Sequence, residues 1–237
     1  MSELFYRNAC SSTNDEISDV LLYPQSNFIG LYTFNQIKGR GQYGNSWTSA
    51  AEKNLAYTLA VKTSCIYHSD FLFNYYTAIA VQSYLANLTE KIVKIKWPND
   101  IIIKNKKVAG ILIEKKKINQ ESYFIIGVGI NILQEKFDEI SNAGSLLTQT
   151  EQIFSLKPFA EKLHLFLIEK LNNIPYDDEV LNQFNLNLFK KDEVSVFEIE
   201  NVRQNGIIKN ADKNGEIWIE LESGLRSFYH KEIKLLY

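Results

Sequence analysis

Apolar residues recur at helical intervals after Asn14, with Ile17, Val20 and Leu21 on one side. Ser12 and Thr13 precede Asp15 and Glu16 at capping-box spacing, so a helix is predicted to begin near Asn14. A strand over 28–34, a glycine-rich stretch over 39–44, a second strand over 55–61 and a long core-facing helix over about 70–88 follow. Between 92 and 132 three or four strands come in close succession, separated by turn chemistry at Pro98-Asn99-Asp100, Asn105-Lys106 and Asn119-Gln120. Connections this short predict antiparallel neighbours. Residues 133–150 are weakly patterned and contain Asn142, Gly144 and Ser145, which predicts a loop or short helix beside a site. Helical stretches near 157–172 and 177–189 come next. From Asp192 the texture changes to short alternating strands over 194–199, 206–211, 215–221 and 225–229, with Asn-Gly at 205–206 and 214–215 predicting hairpins. The pattern divides the chain into a larger mixed part, 1–189, expected to hold the chemistry, and a small all-β module, 190–237.

Composition agrees with that division. At 237 residues, 45% hydrophobic and 23% charged, the chain has the material for a full core, and disorder is not expected. The formal charge is −2, and residues 190–237 carry eight basic against nine acidic side chains, so neither part offers the cationic footprint of a nucleic-acid binder. Only Cys10 and Cys65 could pair, and neither sits in a CxxC or Cys/His cluster, so a disulfide framework or zinc site finds no support and a reducing cytoplasm fits best. The start MSELFYRNAC lacks a basic, then apolar, leader, and no apolar run is long enough to cross a bilayer, so a soluble, cytoplasmic protein without membrane contact is expected.

Gly39-Arg40-Gly41-Gln42-Tyr43-Gly44 matches GxGxxG, yet Asn45-Ser46-Trp47 leads into a strand rather than a helix, which excludes a Rossmann turn. Its glycines let backbone approach a ligand, and Arg40 brings a fork of donors suited to phosphate or carboxylate; a flexible surface hairpin explains the segment equally well. In Lys96-Trp97-Pro98-Asn99-Asp100 the strand alternation puts Lys94 and Lys96 on one face, opposite Val93, Ile95 and Trp97, and taken singly these are solvated lysines before a turn. Lys107 to Glu114 reads as a buried strand with a glycine bulge, and Gly127-Val128-Gly129-Ile130-Asn131 as another.

In order, SSTN, QxxGRGQxGxxW, KWPND, KVAGILIE and GVGIN closely resemble the biotin protein ligase family, densely over about residues 10–132. The resemblance implies an α/β fold, with a mixed, largely antiparallel sheet and helices mainly on one face as in class II aminoacyl-tRNA synthetase cores, plus a small C-terminal SH3-like β-barrel. It implies an ATP-dependent ligase that makes biotinyl-AMP and pyrophosphate, then passes biotin to a lysine of a biotin carboxyl carrier protein, with Mg2+ accompanying ATP and its ligands left open. Arg40 and Lys96 are the implied catalytic cations. The biotin site would comprise Ser12, Thr13, Gln36, Gly39, Arg40, Gly41, Lys96 and Gly110, and the ATP site Arg40, Gln42, Trp47, Lys96 and Asn131, with adenine stacked on Trp47 and read by Asn131. Two positions depart from the family pattern: Gln42 stands where a second Arg is usual, and Asn45 where bacterial members often carry a basic residue, so positive charge in the phosphate loop is reduced.

Ordering of 39–48 and 133–146 over the ligand would keep the adenylate from water. About ten residues precede the STN helix, so a ligase without the winged-helix repressor domain is expected; the resemblance allows a homodimer. A lipoate or octanoyl transferase is the nearest rival, although its arginine-rich triple-glycine motif is absent, and a catalytically weak biotin-binding module is the rival from another class.

Overall fold

The computed structural model describes residues 2–22, 26–137 and 140–237. In chain order the larger part contains β1 (Glu3–Tyr6), α1 (Thr13–Val20), β2 (Phe28–Thr33), β3 (Gly39–Arg40), β4 (Ser46–Trp47), β5 (Asn54–Lys62) and α2 (Asp70–Thr89). It continues through β6 (Val93–Lys96), β7 (Asp100–Ile103), β8 (Lys106–Ile118), β9 (Glu121–Asn131), α3 (Leu146–Thr150), α4 (Leu156–Leu171) and α5 (Asp177–Leu186). The C-terminal module contains β10 (Val194–Ile199), β11 (Val202–Ala211), β12 (Ile217–Leu221), β13 (Gly224–Phe228) and β14 (Lys234–Leu236).

The large sheet runs β1-β2-β5-β9-β8-β7-β6. Its neighbours are antiparallel except the outermost pair, β1 and β2, which is parallel. Both faces of β5 are buried, as its sequence NLAYTLAVK requires, and α2 is apolar around most of its girth because it is packed between sheet and other helices. Helices α2, α4 and α5 join the main core, while among the described residues α1 is the helix on the opposite face, setting Ile17 and Leu21 against Ile29, Leu31, Tyr123 and Ile125. The mixed, largely antiparallel sheet with helices mainly on one face is therefore present, and the second sheet, β13-β12-β11-β10-β14, is the small SH3-like companion.

Three two-residue turns hold left-handed φ at both positions, Lys104-Asn105, Asn119-Gln120 and Glu200-Asn201, the conformation that matches strand twist in tight hairpins. The first lies one residue ahead of the predicted turn. Asn205-Gly206 is no hairpin: it lies inside β11, where Gly206 pairs with Ser195 and Leu221. A Cβ there would come within 2.8 Å of Leu221 and 2.9 Å of Ile219, so this glycine serves packing rather than turning. Asn214-Gly215 does turn, with Gly215 at φ 89°. Nor does Ser12 close the expected capping box, since its hydroxyl makes no cap hydrogen bond, and Glu16 reaches instead to the Ser11 amide at 2.7 Å. The bulge in β8 falls at Val108, which has no partner between the pairs Ile102–Lys107 and Ile101–Ala109, and not at Gly110.

Beneath the sheet, fully buried Tyr57 meets His164 Nδ1 at 2.8 Å. Burial holds the imidazole well below its ordinary value, at about 4. An unfolded histidine takes up a proton near pH 6.5 whereas the folded one resists until about 4, so the native state loses stability as pH falls across that window and the loss levels off below it. Wild-type Tm should therefore drop between pH 6.5 and 4, and His164→Gln, which keeps a partner for Tyr57, should remove part of the drop. An identical pH slope in both proteins would show that His164 is not buried in its neutral form.

Candidate active site

On the α1 face of the large sheet, Gly129 sits beside Ala56 on β5 and Gly110 on β8, and Gly127 beside Thr58 and Leu112. With so little side chain, this patch of sheet is sunken, and it floors a cavity of about 240 Å³. The hairpin β3–β4 folds over it, and the Trp47 indole lies on the bare strands: a Cβ on Gly129 would fall 2.5 Å from the ring and one on Gly110 3.1 Å from it. These glycines are required by close approach, not by a turn. Gly39 has the same kind of reason, since a Cβ there would strike the Trp47 carbonyl across the hairpin.

One end of the cavity is neutral and polar. The Thr13 amide and hydroxyl both donate to Gln36 Oε1, at 2.8 and 3.2 Å, and Thr58 Oγ1 lies 2.8 Å from Thr13 Oγ1 and 2.6 Å from Asn14 Oδ1. Asn14 passes the chain on to Glu114 at 2.9 Å. Arg40 reaches down from β3 to Asp15 at 2.7 Å and Glu114 at 3.1 Å, and Lys116 also contacts Asp15 at 3.2 Å.

The other end is cationic. Lys96 closes β6 and Asp100 opens β7 across the Trp97–Pro98 turn, whose peptide is cis. Asp100 is shared by Lys107 at 2.6 Å and Lys96 at 3.8 Å. Burial lowers the Lys96 ammonium from its ordinary range; Asp100 opposes the shift and Lys107 adds to it. This lysine is thus not the solvated surface group that strand alternation suggests. From the C-terminal module His230 forms part of the wall, and burial, then the charge of Lys96, keep it below the usual imidazole range.

Of the residues expected from the sequence, Ser12, Thr13, Gln36, Arg40, Gly41, Gln42, Trp47, Lys96 and Gly110 line this one cavity. Gly39 and Asn131 do not. Asn131 lies further along β9, where its amide donates to the Gly144 carbonyl at 2.9 Å. Its Oδ1, like Trp47 Nε1, is buried without a hydrogen-bond partner among the described residues, and an unmet buried polar atom costs free energy unless a ligand satisfies it. The expected lid 39–48 is folded here as a hairpin with one 3-10 turn, Gln42–Gly44. In the second expected lid, 133–146, Asp138 and Glu139 lie outside the described residues, and the remainder is tied to β8, with Lys107 N donating to Asn142 O at 2.7 Å and Gly144 N to Lys107 O at 3.0 Å.

Sequence reasoning missed Asn14, Lys107, Gly127, Gly129 and His230. The two glycines and Lys107 lie within motifs already singled out, and SSTN includes Asn14; His230 carried no signal at all. Among the described residues no cluster of three His, Cys, Asp or Glu could hold a metal, and no helix is long and apolar enough to cross a membrane.

The biotin/lipoate A/B protein ligase family profile matches residues 10–131. The bifunctional ligase/repressor BirA of Escherichia coli is 28% identical over 140 residues, 58% of this chain and 43% of its own length. The biotin--[acetyl-CoA-carboxylase] ligase of Mycobacterium tuberculosis is 27% identical over 123 residues, 50% of this chain and 45% of its own. The matched stretch thus spans under half the length of these curated relatives. The fold is similar to that of biotin protein ligase from Aquifex aeolicus in complex with biotin and ATP, at TM-score 0.81 and 23% identity, covering 99% of this chain and 98% of that one.

The Gly129 contact can be tested directly. Gly129→Ala should push the Trp47 ring off the sheet and cost about 1–3 kcal/mol of stability, read as a lowered Tm and an altered tryptophan emission. Unchanged melting and emission would mean that the ring does not rest on the bare strand.

Proposed function

The chain belongs to the biotin/lipoate A/B protein ligase family, and from that premise we propose that it is a biotin protein ligase, joining biotin to a lysine of a biotin carboxyl carrier protein at the expense of ATP. The observation that carries this reading is that Arg40 and Lys96, distant in sequence, line one cavity together with the neutral hydrogen-bonding cluster of Thr13 and Gln36. A carboxylate and a nucleotide phosphate repel each other, and fixed cations between them remove that obstacle.

In the first step a biotin carboxylate oxygen bonds to the α-phosphorus of ATP, the bond to the bridging oxygen breaks, and pyrophosphate leaves. Lys96, desolvated and held near Asp100, is placed to follow the charge moving onto the phosphoryl oxygens. Arg40 would exchange Asp15 and Glu114 for the ligand's anionic groups. Ser12, Thr13 and Gln36 would take the ureido ring. Adenine stacked on the Trp47 indole would bring a donor of its edge towards Asn131 Oδ1. In the second step the acceptor's lysine amine bonds to the acyl carbon, the bond to the phosphate oxygen breaks, AMP leaves, and the amine proton passes to water. Asp100, the one carboxylate lining the cavity among the described residues, is already shared by two lysines, so the residues present do not form a resident magnesium site. Magnesium belongs here with the triphosphate, as part of the substrate. The same proposal assigns chemistry to 1–189 and makes 190–237 a companion that supplies His230 to the wall.

The purified protein should catalyse biotin-dependent exchange of pyrophosphate into ATP and ATP-dependent transfer of biotin to a carrier domain. Lys96→Ala and Arg40→Ala should each lower the exchange rate by roughly 100-fold or more with little change in Tm. Exchange driven by lipoate and not biotin would replace this reading with its lipoate rival, and biotin binding without exchange would leave a binding module.

A further inference from the structure

Strict alternation along β8 would send Lys107 and Gly110 to opposite faces. The bulge at Val108 reverses this. Because Ile102 pairs with Lys107 while Asp100 pairs with Gly110, and Asp100 and Ile102 share a face of β7, Lys107 and Gly110 come to the same face, the one that floors the cavity. Bulges beside sites commonly re-aim a side chain in this way. The Lys107 stem then passes so close to Gly110 that a Cβ there would meet its Cε at 3.2 Å and its Nζ at 3.3 Å. Its ammonium ends 2.6 Å from Asp100 and 5.5 Å from the centre of the Trp47 ring.

Two further facts bear on what this lysine does. Gln42 also lines the cavity and is neutral, so the loop that covers the site brings one permanent charge, Arg40. The Lys107 backbone, meanwhile, exchanges hydrogen bonds with the 140–144 segment on both sides, and Gly144 in turn holds Asn131. A cation here is anchored at the main chain and tipped into the space between Lys96 and Trp47.

The geometry points to Lys107 as a nucleotide-phosphate-binding residue of this chain, supplying from the β8 wall the positive charge that position 42 of the covering loop lacks. In the structure its charge is satisfied by Asp100. With nucleotide bound, the ammonium turns to a phosphoryl oxygen while Asp100 stays with Lys96, so the cavity exchanges one charge-assisted hydrogen bond for another of similar strength. This inference rests on the ligase reading above.

The test compares wild type, Lys107→Met, Lys107→Arg, Gln42→Arg and the Lys107→Met/Gln42→Arg double variant in biotin-dependent pyrophosphate exchange, with biotin binding and Tm measured on each. Wild-type activity decides the ligase reading separately: if wild type exchanges nothing with biotin, that reading fails, whatever the variants do. With wild type active, Lys107→Met should raise KM for ATP roughly 10- to 100-fold while biotin affinity and Tm stay close to wild type. Lys107→Arg should retain most activity, and Gln42→Arg in the Lys107→Met background should recover most of the lost ATP affinity. An unchanged KM in Lys107→Met overturns the assignment, and so does a defect that Gln42→Arg leaves unrelieved, or one in which biotin affinity falls equally, since either means that Lys107 only positions Asp100 or the fold around it.

Discussion

The site depends on a place where side chains are missing. Gly110 and Gly129, with Ala56 beside them, leave the middle of a seven-stranded sheet without the layer that would fill it, and the Trp47 indole comes down onto that bare backbone, while the Asn14 carboxamide covers Gly127. Packed interiors leave few voids larger than a water molecule, so a hollow of about 240 Å³ persists only because its floor cannot be filled from below and its roof is a hairpin whose own Gly39 permits close contact. The polar end at Thr13 and Gln36 and the cationic end at Lys96 and Lys107 are arranged around this floor.

The charges around the hollow are prepaired. Arg40 rests on Asp15 and Glu114, and Lys96 and Lys107 share Asp100. A half-buried cation with no counter-ion carries a desolvation cost, and here each has a carboxylate within 4.0 Å that an incoming anion can supplant. The carboxylates are retained nearby and still have partners when that happens, Asp15 keeping Lys116 and Glu114 keeping the Asn14 amide. On the proposed function, binding here is an exchange among ions rather than the neutralisation of bare charge, and the net charge of −2 says nothing about the local field.

Most of the fold was legible because long periodic runs such as 54–62, 70–89 and 121–131 leave little choice of element. What escaped was short or conditional. β1 and β14 are three or four residues long and exist through their neighbours, and the turn at Glu200-Asn201 carries no glycine to announce it, whereas Asn205-Gly206 looks like a turn and is consumed by packing inside β11. The motif residues from Ser12 to Gly110 that converge on the cavity were legible through resemblance rather than periodicity. Lys107 was hidden by the bulge at Val108, a one-residue slip that alternation cannot foresee, and His230 by the distance along the chain between a small β-module and the sheet it leans on.

The walls of the cavity are drawn from Ser12 at one extreme and His230 at the other, out of 237 residues. A chain emerging from the ribosome folds its early segments first, yet this space is not enclosed as it is here until His230 has been made. The wall is therefore completed only after the sheet that floors it, and local opening of the β-module around His230 would breach it while the strands beneath remained intact.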